Sequence, residues 1–518
     1  MNARPTMNPG PGLHSGPATN GVPAATAGAS TTGGLSSIAL FHQPLEPLGA
    51  PVARPIAGIT TTQDLTGPSV TNVWDPARRQ TPSIDWNLVV DLRGRASAEV
   101  AERCTQQERA TGSRMDPADR RMLGRSVVQS IVTDHADRAH RDGAESWPLE
   151  RERAYTQAVF DAIFGYGRLQ PLFELPDAEN IEITGCESVR VQHPDGRRSI
   201  HPPVADSDAG LIDAVRFLGQ NAEPTRPFDD AHPTMTLALG DRFRLHAIGF
   251  GLSHRPSVVI RQHTMTEVTL DELAAGGLMP PELASFLHAA VLDKRSIVIS
   301  GDQGAGKTTL LRALIAAIPA QERFATIETD YELLTHLLPG RDNILALQSR
   351  LGAGEVLNGQ RIGEVTVADL IPEALRQNLT RLIVGEVRGV EARAMFEAMQ
   401  AGAGSMSSVH AHSAAATVDR LAVRVAHGGE VLIDEAYAQI AANLDLVVHV
   451  GLIDDTWRGG RRHRQITQVR YLTGGRENGI PITHVVFRAA ADNDGPAGFF
   501  PLAELEQAFE RYRSWWPA

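Results

Sequence analysis

Lysine is almost missing from this chain: of its 49 Lys+Arg residues only Lys294 and Lys307 are lysine. Arginine fills the basic role everywhere else, the bias expected of an Ala-, Gly-, Pro- and Arg-rich chain from GC-rich coding sequence, so a retained lysine points to chemistry a guanidinium cannot do. Cysteine is equally scarce. Cys104 and Cys186 among 518 residues exclude a disulfide framework and have no metal-ligand spacing, which fits a reducing compartment. Aromatics make up 5% and the formal charge is −12, which argues against a protein that coats nucleic acid or stacks its bases. No run of about 18 apolar residues could span a bilayer, and no charged-then-apolar leader opens the chain. A role at a membrane would therefore need a partner to hold the protein there.

What is present centres on Lys307, inside Gly301-Asp302-Gln303-Gly304-Ala305-Gly306-Lys307-Thr308, which fits the phosphate-loop pattern G-x-x-x-x-G-K-S/T. That spacing lets successive backbone N–H groups turn inward on a phosphate, where a side chain at the glycines would obstruct them. Lys307 then offers a compact charge to the β- and γ-phosphates, Thr308 a hydroxyl to Mg²⁺, and Thr309 continues the loop into a helix. The context agrees: residues 296–300 read as a buried strand, and 309–318 as a helix stopped by Pro319. Lys294, by contrast, reads as capping a surface helix end.

At this length about two to four domains are expected. Residues 1–83 are Gly/Pro/Ala/Thr/Ser-rich and poor in large apolar groups, so they are expected to form a disordered tail; a short apolar patch in it, Ile38-Ala39-Leu40-Phe41, reads as random clustering or as a docking element. Residues 84–149 show helical spacing, as in Val127-Val128 followed by Ile131-Val132, and read as a small helical module. Residues 150–262 turn to mixed α/β, with alternating segments such as Ile181-Glu182-Ile183 and a turn at Pro194-Asp195-Gly196. Residues 263–280 form a linker, and in 281–518 strands alternate with helices, the pattern of a parallel sheet covered by helices.

Phosphoryl transfer needs a carboxylate to orient water, placed at the carboxyl end of a strand beside the loop. Arg381-Leu382-Ile383-Val384-Gly385-Glu386 delivers Glu386 to such an end, with Gly385 where many such enzymes carry a magnesium-coordinating Asp. Magnesium must then depend on Thr308, waters and carboxylates from elsewhere, and Thr326-Ile327-Glu328-Thr329-Asp330-Tyr331-Glu332 supplies them, Glu328 first. A third element, Ser407-Ser408-Val409-His410-Ala411-His412, puts two histidines on one side of an extended segment, yet spacing suggests no third or fourth metal ligand. A neutral His410 sensing the γ-phosphate is the sharper reading.

In this order the four elements resemble the Walker A, Asp box, Walker B and His box of the type II/type IV secretion ATPase superfamily. The likeness covers roughly residues 150–490 and is nearest the Tad/Cpa-type branch, the motors of tight-adherence pili; Gly165-Tyr166-Gly167-Arg168-Leu169-Gln170-Pro171-Leu172 is similar to that branch's Gly-x-Gly-x-Leu-x-Pro-Leu. The resemblance implies a RecA-like P-loop NTPase domain behind a PAS-like α/β domain, and a cytoplasmic homo-hexamer that hydrolyses ATP with Mg²⁺. It implies partners too: a polytopic inner-membrane platform protein, and pilin or secretion machinery. Its N-terminal arginines approach the phosphates, and Arg244 and Arg261 occupy the matching places. Lys307, Glu386, Glu328, His410, Arg244 and Arg261 are thus the expected catalytic set, with Thr308, Glu328 and Glu386 on the metal.

The chain departs from the family pattern in places. Thr326-Ile327-Glu328-Thr329 stands where Thr-Ile-Glu-Asp is usual, His412 where Asn is common, and Arg376-Gln377-Asn378-Leu379 where Arg-Met-Arg-Pro precedes Walker B. Slower hydrolysis is one expectation from these changes. Two rivals follow: a nucleic-acid motor such as a conjugation helicase, and a weakly hydrolysing regulatory ring subunit. No direct nucleic-acid partner is expected from the charge and aromatic content.

Overall fold

The computed structural model describes residues 84–512 apart from 223–224, 241, 264, 266, 351, 353–355, 358–359, 390, 402–403, 428–430 and 491–494. The expected disordered tail, with its apolar patch at 38–41, lies outside the described residues.

Three helices open the described chain: α1 (Trp86–Thr111), α2 (Pro117–Arg141) and α3 (Leu149–Phe164). Asp85 caps α1 by accepting from the Asn87 amide, and Gly112, in the left-handed region, ends it. Val89, Leu92, Ala96 and Val100 recur every three to four residues on α1 and are buried against Val128, Ile131 and Val132 of α2. Tyr155, Val159 and Phe160 of α3 complete that core, and the Tyr155 hydroxyl accepts from the Asp85 amide at 2.9 Å. Helix α3 thus shares the helical core, although the sequence division at 149/150 assigns it to the α/β segment.

After the short α4 (Gln170–Phe173) come β1 (Asn180–Thr184), β2 (Ser188–Gln192), β3 (Arg198–His201), α5 (Asp208–Gln220), β4 (Thr234–Leu239), β5 (Phe243–Ile248) and β6 (Ser257–Gln262). They form an antiparallel sheet in the order β3-β2-β1-β6-β5-β4. Period-two alternation sends Ile181, Ile183, Val189, Val191, Leu245 and Ile260 to one face, where they pack on Leu211, Val215 and Leu218 of α5. The opposite face carries Arg244 and Arg261, direct neighbours in the β5–β6 register.

The remaining elements are α6 (Leu270–Ala275), α7 (Pro281–Leu292), β7 (Ile297–Gly301), α8 (Lys307–Ala316), β8 (Phe324–Glu328), β9 (Ile344–Gln348), the small hairpin β10 (Val356–Leu357) and β11 (Gln360–Arg361), α9 (Val367–Leu375), β12 (Arg381–Val387), α10 (Glu391–Ala401), β13 (Met406–His410), α11 (Ala414–Ala426), α12 (Ile433–Asn443), β14 (Leu446–Asp454), β15 (Arg462–Glu477), β16 (Ile480–Arg488), β17 (Gly498–Phe499) and α13 (Ala503–Glu510). Strands β14-β7-β13-β12-β8-β9 run parallel, and β15, β16 and β17 extend the β14 edge antiparallel. Both faces are covered, as a parallel sheet requires. Ile297 and Ile299 face the core of α7, α8 and α13, while Val298 between them joins the core of α9 to α12. This is the expected RecA-like plan, and it brings the carboxyl ends of β7, β8, β12 and β13 to one edge. Among the described residues no helix is long and apolar enough to cross a membrane.

Candidate active site

The phosphate loop leaves β7 at Gly301 and enters α8 at Lys307, two residues before the helix expected from the sequence, which also ends earlier, at Ala316. Gly306 caps the helix with φ of 96°, a region where a Cβ is strained. Its side of the loop is also crowded: a Cβ there would lie 3.3 Å from Cδ of Arg464. Lys307 is buried, and its Nζ donates to the carbonyls of Gly301 at 3.0 Å and Asp302 at 2.9 Å. Burial lowers its pKa to about 8, with Glu386 pulling the other way and Arg261 adding to the depression. An ammonium held so is weakly hydrated and ready to favour an incoming anion.

Lys307 Nζ also meets His410 Nδ1 at 3.1 Å. An ammonium can only donate, so Nδ1 accepts and the neutral ring carries its proton on Nε2. Burial, then Lys307, hold His410 below the ordinary histidine range against the pull of Glu386. His410 Nε2 lies 2.7 Å from Glu386 Oε1. That contact lacks hydrogen-bond alignment, so the buried Oε1 keeps an unused acceptor position. The other oxygen, Oε2, accepts from Arg388 Nε at 2.8 Å.

Glu328, at the end of β8, is buried, and its Oε1 accepts from the amides of Glu332 at 3.0 Å and Leu333 at 2.9 Å. Its Oε2 is buried without a hydrogen-bond partner. Desolvation raises its pKa to about 8, despite those two amides. Gly385 now has a physical reason: a Cβ there would stand 2.9 Å from Cγ of Glu328. Glu328 therefore fills the space that an aspartate at 385 would use. Thr308, Glu328, Gly385 and Glu386 line one pocket together with Thr329, Asp330 and Glu332.

A neighbouring cavity of about 450 Å³ joins Gln303, Gly304, Gly306, Lys307, Thr308, Glu386 and His410 to Arg244 and Arg261 of the antiparallel sheet. The Arg261 backbone is paired in the sheet, while its guanidinium makes no hydrogen bond or ion pair among the described residues. Arg244 donates through Nη2 to Asp330 at 2.8 Å and through Nη1 to Glu332. Burial works to raise Glu332, but Arg244, His263 and Arg261 together hold it below the ordinary carboxylate range. Asp302 and Gln303 are exposed, Ala305 is buried and Thr309 half-buried on the loop and first helical turn. His412 is exposed outside the cavity, and the described residues contain no cluster of three or more metal-ligating side chains. The structure thus brings Lys307, Thr308, Glu328, Glu386, His410, Arg244 and Arg261 around connected space.

Sequence reasoning missed Arg388, Arg312 and Arg464. Arg388 follows two residues after Glu386 on the same segment; Arg312, on α8, holds the Met265 carbonyl at 2.6 Å and that of Glu332. Arg464, on β15, donates to the Gly304 carbonyl at 2.8 Å from 160 residues away, a pairing no local pattern signals.

Comparison with known proteins finds relatives of this chain. The family model described as type II/IV secretion system protein matches residues 229–480. A Mycobacterium tuberculosis protein named for conjugal transfer is 31% identical over 333 residues, 62% of this chain and 88% of the relative. The type IV secretion system protein VirB11 of Brucella suis is 32% identical over 272 residues, 47% of this chain and 72% of VirB11. Among solved structures, the ATPase DotB of Legionella pneumophila aligns at 19% identity over 60% of this chain and 80% of DotB, with a TM-score of 0.41. On the family match and these two curated relatives, the chain belongs to the type II/IV secretion system protein family.

Proposed function

We propose that this protein is an ATP-hydrolysing motor of the Tad/Flp type, a homo-hexamer at the cytoplasmic face of the membrane that works through a polytopic inner-membrane platform protein to assemble pilin or drive secretion. The observation that carries the reading is a pair of pockets sharing Thr308 and Glu386, one holding a desolvated Lys307 and a neutral His410, the other Glu328, with an unused carboxylate oxygen on each of Glu328 and Glu386. Loop amides and Lys307 take the β- and γ-phosphates of ATP. Glu386 Oε1 accepts from the attacking water, which adds to the γ-phosphorus as the bond to the ADP oxygen breaks. His410, touching both Lys307 and Glu386, registers whether the γ-phosphate is present. Thr308, Glu328 and Glu386 fit Mg²⁺, which takes one or two carboxylates plus phosphates and lends them charge, so three protein carboxylates are not required. Arg261 is available to phosphate as it stands, whereas Arg244 must exchange Asp330 and Glu332 for it.

Lys307→Ala tests the site. Turnover should fall by about 3–4 kcal/mol of transition-state stabilisation, the scale of one lost preorganised donor. Steady-state ATP hydrolysis near wild type would end the assignment. A second reading, translocation of nucleic acid, draws on the Mycobacterium tuberculosis relative named for conjugal transfer. Hydrolysis stimulated several-fold by DNA would favour it over pilus assembly or secretion.

A further inference from the structure

Three parts of the chain far apart in sequence meet on the outer side of the phosphate loop. Arg464 of β15 donates through Nε to the Gly304 carbonyl at 2.8 Å and through Nη2 to Glu179 Oε1 at 2.5 Å. Glu179 immediately precedes β1, and its backbone is fixed on both sides: its amide donates to Gln192 at 2.8 Å and its carbonyl accepts from Gln262 at 3.0 Å. The side chain thus springs from backbone held in the antiparallel sheet. Its neighbour Asn180 lines the same cavity as Lys307. The second carboxylate oxygen is 3.6 Å from Nη1 of Arg462, whose side chain is only 7% exposed. Neither Nη1 nor Nε of Arg462 finds a hydrogen bond, nor does that oxygen, so Arg464 alone makes the close link.

We propose that Glu179 and Arg464 are positioning residues that hold the phosphate loop in register with the antiparallel sheet, so that nucleotide affinity follows the seating of that sheet. The reason lies in the fork of the guanidinium. Its Nε holds the Gly304 carbonyl of the loop while its Nη2 is anchored by Glu179, so one rigid plane ties the loop to the sheet. If the sheet shifts, Arg464 must release either the carboxylate or the loop. Neither residue touches the reacting atoms, and the proposal rests on the ATPase reading of the site.

The test uses the full chain with Glu179→Gln, Glu179→Ala, Arg464→Lys and the double variant Glu179→Gln/Arg464→Lys, beside wild type and Lys307→Ala. KM and kcat for ATP, affinity for a fluorescent ADP, and melting temperature are measured for each. Arg464→Lys keeps the charge but loses the planar fork whose separate Nε and Nη2 reach the loop carbonyl and the carboxylate, so it and Glu179→Gln should each raise KM and weaken ADP about tenfold, with kcat within about twofold, the size expected for a charge-assisted hydrogen bond. The double variant should be no worse than the stronger single one, because both break one link. If Glu179→Ala does not fold, Glu179→Gln carries the comparison. Wild-type KM in both single variants, fully additive effects, or equal loss in kcat and KM tracking the melting temperature would each overturn the proposal. Lys307→Ala separates this from failure of the site itself: undiminished turnover there overturns the ATPase assignment, whatever the KM series shows.

Discussion

Glu328 and Gly385 show how one side chain's absence is answered by another's position. The Walker B segment has no aspartate before Glu386, and the structure fills that volume with the Glu328 carboxylate, arriving from the neighbouring strand β8. Gly385→Ala should therefore be costly. Its Cβ would lie 2.9 Å from Cγ and 3.1 Å from Oε1 of Glu328, so the carboxylate must move. We expect a stability loss of about 1–3 kcal/mol, typical of overpacking, and a fall in ATP turnover of about tenfold or more, measured by thermal melting and steady-state kinetics. Wild-type values in both would mean that Glu328 has room elsewhere. At this scale the sequence was readable for residues fixed by short-range geometry. Lys307, Thr308 and Glu386 each follow a strand whose direction the pattern gives, whereas the link between Gly385 and Glu328 depends on strand order, which no local spacing encodes.

Elements carry their own stop signals, and some were plain. Lys294 was expected at a helix end, and it follows α7 with φ of 58°, its amide donating to Val291 while Arg295 donates to Ala290. This double pairing is the Schellman arrangement, built here without glycine. Helix α3 was harder to place because its apolar stripe fits either neighbour. Asp161 on that helix offers a test of its seat. Burial raises its pKa from 3.8 to about 6, against the hydrogen bond from Gln157 and the charges of Arg125 and Arg121. The folded state thus holds its proton more tightly than the unfolded chain, and the stability contributed falls as pH rises from about 3.8 to about 6. Asp161→Asn should stabilise the fold at pH 7 by about 1 kcal/mol after allowing for solvent screening, read as a higher melting temperature, and gain little near pH 4. A gain independent of pH would place the cause elsewhere than in the charge.

For the whole molecule the decisive contacts run between the two sheets. Arg244, on the antiparallel sheet, is held by Asp330 and Glu332 beside the phosphate loop. Removing it leaves two carboxylates short of a partner in a poorly hydrated place. Glu332 sits below its ordinary 4.5 in the fold, so its contribution to stability is present above that pH and lost as pH falls through the lower folded value. Arg244→Ala should cost about 3 kcal/mol in urea denaturation at pH 7, and the deficit should narrow below about pH 4. A deficit unchanged by acid would show that packing, not charge, accounts for the arginine.

The sequence by itself determined the phosphate loop, the strand-end carboxylates, the histidine segment and the alternation of strands with helices. The loop, the carboxylates and the histidine segment are each written within about ten consecutive residues, and the alternation in the succession of apolar periods. Only the tertiary structure decided that β8 lies next to β12, which puts Glu328 in the space above Gly385. It also decided that β15 turns back along β14 to bring Arg464 to Gly304, and that Glu179 meets that arginine from the other sheet. Such pairings span up to 285 residues. They are set by strand order and by how two sheets pack, which emerge only when the whole core is buried.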